Sequence, residues 1–187
     1  MIKVELVRHH LKYAQRMSQL TTDDKVKHAL KLTDEQCSVA GTKSFIEFIR
    51  IQEKIGTQYS RVILNEEQEL IGVITLKDID LNKKTAHIGT WIGAQYWGKG
   101  YNALAKEEIL KQAFFKLNLD YVFAGAALYN IRSQKAQEKL PYMKLHVDNL
   151  FPAELHKIEY ETKSKCILNV IEKEDFVKYI GAKVSSF

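Results

Sequence analysis

Apolar positions along the chain change their period several times, and those changes divide it into elements. Ile2 to Val7 alternates weakly and predicts a first strand, and His9 to Leu20 follows with a helical pattern. Ser44-Phe45-Ile46-Glu47 has the form of a capping box, in which the serine hydroxyl accepts a backbone N–H and the glutamate reaches back. It predicts a helix that opens there, carries Phe45, Phe48, Ile49 and Gln52 on one face and stops near Gly56. The period then shortens. Arg61 to Leu64 and Leu70 to Leu76 read as strands flanking the polar turn Asn65-Glu66-Glu67-Gln68-Glu69. Thr85 to Ile92 is a third strand, with Ala86, Ile88, Thr90 and Ile92 on one face and His87, Gly89 and Trp91 on the other.

Past Gly98 and Gly100 the pattern predicts a long amphipathic helix whose buried stripe is Ala103, Leu110, Ala113, Phe114 and Leu117. Tyr121 to Leu128 is again a strand, Asn130 to Leu140 a second helix, and Met143 to Val147 and Cys166 to Ile171 closing strands. Hairpin-joined strands with one strand–helix–strand crossover imply a mixed α/β sheet rather than a doubly wound parallel one. No repeat or Pro/Ser-rich linker interrupts the sequence, which has just two prolines, so one continuous domain over residues 1–187 is expected.

Composition narrows the class. A chain of 187 residues that is 45% hydrophobic and 27% charged is ordinary globular material, neither fibrous nor disordered. The two cysteines, Cys37 and Cys166, lie far apart, which fits a reducing cytoplasm and argues against a disulfide framework or a zinc site. No apolar run approaches the ~20 residues of a membrane span. The first residues are too charged for a signal peptide, so a cytoplasmic protein without a membrane partner is expected. The net charge of +5 suits a polyphosphate cofactor, an acidic protein or nucleic acid. Lys and Arg are dispersed rather than interleaved with aromatics, which argues against nucleic acid.

The most informative stretch is Trp91-Ile92-Gly93-Ala94-Gln95-Tyr96-Trp97-Gly98-Lys99-Gly100-Tyr101. A turn between a strand and a helix offers free N–H groups and the positive end of the helix dipole, a site for pyrophosphate. Glycines there let the backbone approach a ligand and adopt positive φ. Gly93 to Lys99 also matches a Walker A loop up to its last position, where Gly100 stands in place of the Ser or Thr that holds Mg²⁺. That argues against an NTPase.

Gln95-x-x-Gly98-x-Gly100 resembles the acetyl-CoA signature of the GNAT superfamily of N-acetyltransferases. Asn130-Ile131-Arg132-Ser133 through Glu138-Lys139-Leu140 is similar to the Asn-x-x-Ser-x-x-x-x-Glu-Lys-Leu helix of the branch containing the ribosomal-protein alanine and serine N-terminal acetyltransferases. Leu76 to Asp80, Ile88-Gly89-x-Trp91-Ile92 and Tyr96 to Tyr101 read like the same branch, so the likeness is densest from Ile71 to Leu140.

The resemblance implies a GNAT-like, mostly antiparallel sheet flanked by helices, with a splayed parallel strand pair holding acetyl-CoA. It places Trp91, Ile92, Gln95, Tyr96, Trp97, Gly98, Lys99, Gly100, Tyr101 and Asn130 at the cofactor. The small residues of Phe123-Ala124-Gly125-Ala126-Ala127 either leave room for that cofactor or let a helix pack closely on the sheet.

An amine attacking a thioester must be neutral, and the departing thiolate needs a proton. The branch assigns that proton to a serine at the position of Ser133, where many relatives use a tyrosine at the position of Gln137. Ser133 can equally bond back to a carbonyl of the preceding turn. His87, where related sequences often carry Glu, and Glu154, in the stretch joining the last two strands, are the two candidates for the base. Pro141-Tyr142 replaces the usual Gly-Phe, which alters the turn beside the acceptor pocket.

The expected function is acetyl transfer from acetyl-CoA to a primary amine, either a protein N-terminus or a small molecule. The net positive charge disfavours a polyamine unless an acidic pocket near Asp78 and Asp80 reverses it. A non-catalytic module that binds acetyl-CoA to regulate a partner is the alternative, and a homodimer is open.

Overall fold

In the computed structural model, which describes residues 1–185, strands β1 (Glu5–Val7), β2 (Tyr59–Leu64), β3 (Leu70–Asp80), β4 (Thr85–Ile92), β5 (Tyr121–Ala127), β6 (Met143–Lys144) and β7 (Cys166–Glu172) form one sheet. Their order is β1-β2-β3-β4-β5-β7-β6. Pairing is antiparallel between β1 and β2, β2 and β3, β5 and β7, and β6 and β7. The β4–β5 pair is parallel, and its ladder is three pairs long, Thr85, Ala86 and His87 opposite Tyr121, Val122 and Phe123. The fold is thus the mixed α/β sheet flanked by helices that the sequence implies.

The chain forms two compact units, Met1–Ile79 with Gly89–Gln112, and Asp80–Ile88 with the residues from Ala113 on. In the first, α1 (Ala14–Thr22), α2 (Asp24–Leu30), α3 (Asp34–Cys37) and α4 (Val39–Ile55) connect β1 to β2, and α5 (Tyr101–Lys111) follows β4. Ala14, Met17 and Leu20 of α1 recur at helical spacing and pack with Ile46, Val62, Leu64, Leu70 and Val73. Burying each of these larger aliphatic side chains contributes about 1.5–3 kcal/mol.

Ser44 does not open a helix: its hydroxyl donates to the Ala40 carbonyl in the middle of α4. The cap is Ser38, whose oxygen accepts the Gly41 N–H, and a true capping box joins Thr33 and Gln36 at the start of α3. The inward face of α4 is accordingly Thr42, Ile46 and Ile49, while Phe45 and Phe48 are exposed. The helix does stop at Gly56, whose φ of 87° makes the left-handed cap. On α5 Ala105, Ile109 and Leu110 are buried, and Ala103, expected in that stripe, faces outward.

In the second unit β5 runs beside β7, and α6 (Ile131–Glu138), α7 (Pro152–Thr162) and α8 (Lys173–Val184) complete it. Phe123, Ala127, Val147, Ile158, Leu168 and Val170 form its core. Of the two readings of the small β5 residues, close packing holds at Gly125: a Cβ there would lie 2.3 Å from Ile158 Cδ1 of α7. The closing strand expected over Met143–Val147 ends at Lys144, because His146 takes a left-handed φ of 55° that an extended run cannot contain. Tyr142, at the altered turn, is buried with its ring 5.2 Å from that of Phe176.

Candidate active site

The loop between β4 and α5 is held from three sides within the first unit. Trp97 Nε1 donates to the Ile92 carbonyl at 2.7 Å, folding the indole back on the end of β4. Tyr96 Oη accepts from Arg16 Nη2 of α1 at 2.9 Å and donates to Glu69 Oε2 at 3.2 Å. Tyr101 Oη donates to the Glu66 carboxylate at 3.1 Å. Burial, and then that carboxylate, push the Tyr101 phenol above its usual value.

Gly98 and Gly100 have φ of 75° and 91°, the left-handed region that disfavours a Cβ. Gly100 caps α5 without a side-chain hydrogen bond, so the first N–H groups of the helix have no side-chain cap. Gln95 and Lys99 are exposed, with the Lys99 ammonium 5.6 Å from the centre of the Tyr96 ring. Trp91 packs half-buried on the core beside Tyr96. Lys106, one to two turns into α5, escaped the sequence reading: it is buried, and burial pushes its ammonium down to about 8.

The second unit brings together the two base candidates that the sequence left as alternatives. His87 Nε2 donates to Glu154 Oε2 at 2.6 Å, and Lys157 Nζ donates to the same oxygen at 2.8 Å. Burial alone would raise the Glu154 carboxyl, but the hydrogen bonds from His87 and Lys157 outweigh it and hold the group below its usual value. The His87 side chain is only 2% exposed, against 14% for Glu154, so the carboxylate is the more accessible member. The imidazole lies 5.3 Å from the Phe123 ring, which itself packs on Phe151.

Asn130 caps α6, its Oδ1 accepting the Ser133 N–H at 3.1 Å. Ser133 Oγ accepts from Gln137 Nε2 at 3.4 Å. No carbonyl of the preceding turn takes the Ser133 hydroxyl proton among the described residues.

An acetyltransferase (GNAT) domain model matches residues 3–142, three quarters of the chain. The chain belongs to the GNAT acetyltransferase family. Among curated relatives, the putative ribosomal N-acetyltransferase YdaF of Bacillus subtilis is 32% identical over 75 residues, which cover 40% of this chain and 41% of that one. The chain matches less than half the length of the curated relatives it resembles.

Of solved structures, Mycobacterium smegmatis RimJ in complex with CoA-disulfide superimposes with a TM-score of 0.74 at 16% identity, over 96% of this chain and 89% of the other. Spermidine N-acetyltransferase from Vibrio cholerae, in complex with CoA and spermine, gives 0.71 at 13% identity over 94% and 98%. At such identities they attest the fold. The match to YdaF agrees with the branch that the Asn130–Leu140 helix resembles.

Within this GNAT chain the expected residues divide by role. Gln95, Gly98, Lys99 and Gly100 present backbone or side chain outward, whereas the side chains of Tyr96, Trp97 and Tyr101 are committed to holding the loop. Ile92 is buried, and its carbonyl already accepts from Trp97. Asn130 uses its side-chain oxygen for the helix cap. Asp80 Oδ1 accepts the N–H groups of Asn82 and Lys83 and closes its own turn.

Proposed function

We propose that this GNAT chain, acting as one domain over residues 1–187 (of which 186–187 lie outside the described residues), is an N-acetyltransferase. It transfers the acetyl group of acetyl-CoA to a primary amine, in the cytoplasm. The observation that carries the reading is the loop at the head of α5. Its two left-handed glycines and uncapped helix terminus form a polarised N–H surface suited to the pyrophosphate of CoA. Gly98, Lys99, Gly100 and the Tyr101 N–H bind the phosphates, Gln95 supports them, and Trp91 and Ile92 present strand backbone to the pantetheine arm. The complexes named for RimJ and the spermidine enzyme support CoA as the ligand.

The acceptor amine attacks the thioester carbonyl, the C–N bond forms, and the C–S bond breaks with its electron pair on sulfur. Glu154 is anionic at neutral pH and holds His87 Nε2, the arrangement in which a carboxylate stabilises a forming imidazolium. The buried imidazole takes the amine proton through water rather than by direct contact. Ser133 donates to the departing sulfur, and solvent restores its proton.

Between acceptors, a protein N-terminus is favoured. The ribosomal name of YdaF points there.

The test is CoA release measured with acetyl-CoA and three acceptors: Ala- or Ser-initiated peptides, spermine, and a neutral small amine. Faster turnover with the peptides, falling about 10²–10⁴-fold in Glu154→Gln, is the expected result. Tight acetyl-CoA binding without turnover on any acceptor would instead mark a non-catalytic module.

A further inference from the structure

A chain of hydrogen bonds runs beneath α6 in the second unit and ends on Ser133. The His146 backbone N–H donates to Asn169 Oδ1 at 2.8 Å, and Asn169 Nδ2 donates to Gln137 Oε1 at 2.7 Å. Gln137 Nε2 has two hydrogens and two acceptors, the Gly125 carbonyl at 3.2 Å and Ser133 Oγ at 3.4 Å. Asn169 is wholly buried and Gln137 nearly so.

Amide oxygens and nitrogens look alike in outline, but both fixed ends of this chain are backbone groups whose identity is unambiguous. A backbone N–H can only donate, so Asn169 must turn its oxygen to His146 and its nitrogen to Gln137. Gln137 must then turn its oxygen to Asn169 and its nitrogen to Gly125, whose carbonyl can only accept. Both ends demand the same orientation, and a reversed amide would leave buried like poles in contact.

Ser133 therefore meets a donor from within. A hydroxyl has one proton, and the contact with Gln137 uses a lone pair, not that proton. Among the described residues nothing else takes it.

We infer that Asn169 and Gln137 are positioning residues which keep Ser133 as a hydrogen-bond acceptor on its buried side and so reserve its proton for the leaving thiolate. The inference rests on the transfer reading above, in which Ser133 serves the departing sulfur.

Reversing the chain tests it. In Asn169→Asp an ionised carboxylate can only accept, and its charge outweighs the Gly125 carbonyl, so Gln137 turns its nitrogen to Asp and its oxygen to Ser133, which then donates inward. When that carboxyl is protonated its O–H donates to Gln137 and the native direction returns. The variant should keep near-native kcat at low pH and lose at least about tenfold above the apparent pKa of the buried carboxyl, with KM for acetyl-CoA changed less than about twofold. Gln137→Glu, at a slightly more exposed position, should show the same new limb and guards against a fold lost in Asn169→Asp.

In a Ser133→Ala background neither variant should lower kcat by more than about a further twofold, or add a pH limb. Full, additive losses in that background, or a loss independent of pH in a folded variant, would overturn the relay while leaving the acid assignment intact. Ser133→Ala with unchanged kcat would overturn the assignment of Ser133, and the relay with it.

Discussion

Acid should destabilise this protein through one histidine before it touches the carboxylates. His9 is buried, its Nε2 2.9 Å from Ser60 Oγ and its ring 5.8 Å from that of Phe45. Burial, then the Arg61 guanidinium, lower its pKa from 6.5 to about 4, with Glu53 opposing. The folded state thus resists a proton that the unfolded chain accepts from pH 6.5 downward, and stability falls as pH drops from 6.5 towards 4. With these two values, going from pH 7.5 to 5 removes about 2 kcal/mol, or about 4–8 °C in a chain of this size. The carboxyls of Glu154 and Asp80 are held below their usual values, so their contributions are lost only as pH falls through that lower range. Urea unfolding of the wild type and His9→Gln at pH 7.5 and 5 isolates the histidine. The expected result is a pH-dependent loss smaller in the variant by about 2 kcal/mol. Equal losses in both proteins would refute the argument, since other titrating groups are common to the two.

Other outcomes follow from backbone geometry and packing. Gly98→Ala adds a Cβ that meets nothing within 4 Å, so its cost is the left-handed φ alone, about 1–2 kcal/mol. It should weaken acetyl-CoA binding roughly tenfold by calorimetry if the loop relaxes away from that φ, whereas unaltered affinity would remove the glycine from the site. Gly125→Ala drives a methyl to 2.3 Å from Ile158 Cδ1 and should cost about 1–3 kcal/mol in chemical denaturation. Adding Ile158→Val, which deletes that methyl, should recover much of the loss, and no recovery would mean the strain lies elsewhere.

Strand β4 was legible to the residue because Ala86, Ile88 and Ile92 fall on one face of an alternating run bracketed by Lys84 and Gly93, and the loop after it because glycine spacing reports backbone conformation directly. The failures have physical causes. Ser44-x-x-Glu47 satisfies the capping pattern, yet Ser38, one and a half turns earlier, starts the helix first, and nothing in Val39–Lys43 breaks it. Helices α7 and α8 carry many charged residues around few apolar anchors, Leu155 and Ile158 in one and Phe176 in the other, so their periodicity is faint.

At the site, His87 and Glu154 were each legible as candidates. Their union across 67 residues is a tertiary fact that neither residue's surroundings announce. The Gln137–Asn169 contact is of the same kind, and the burial of Lys106 depends on which helix face meets the core.

The central claim is that the loop from Gln95 to Tyr101 binds acetyl-CoA, and thermal unfolding with added ligand tests it most directly. Acetyl-CoA or CoA at about a hundred times its dissociation constant should add roughly 2.7 kcal/mol. That raises the midpoint by about 5–10 °C in the wild type, and less in Gly98→Ala at the same concentration. ATP with Mg²⁺ should leave the midpoint unchanged. A shift with ATP–Mg²⁺ alone, or none with either CoA species, would contradict the account.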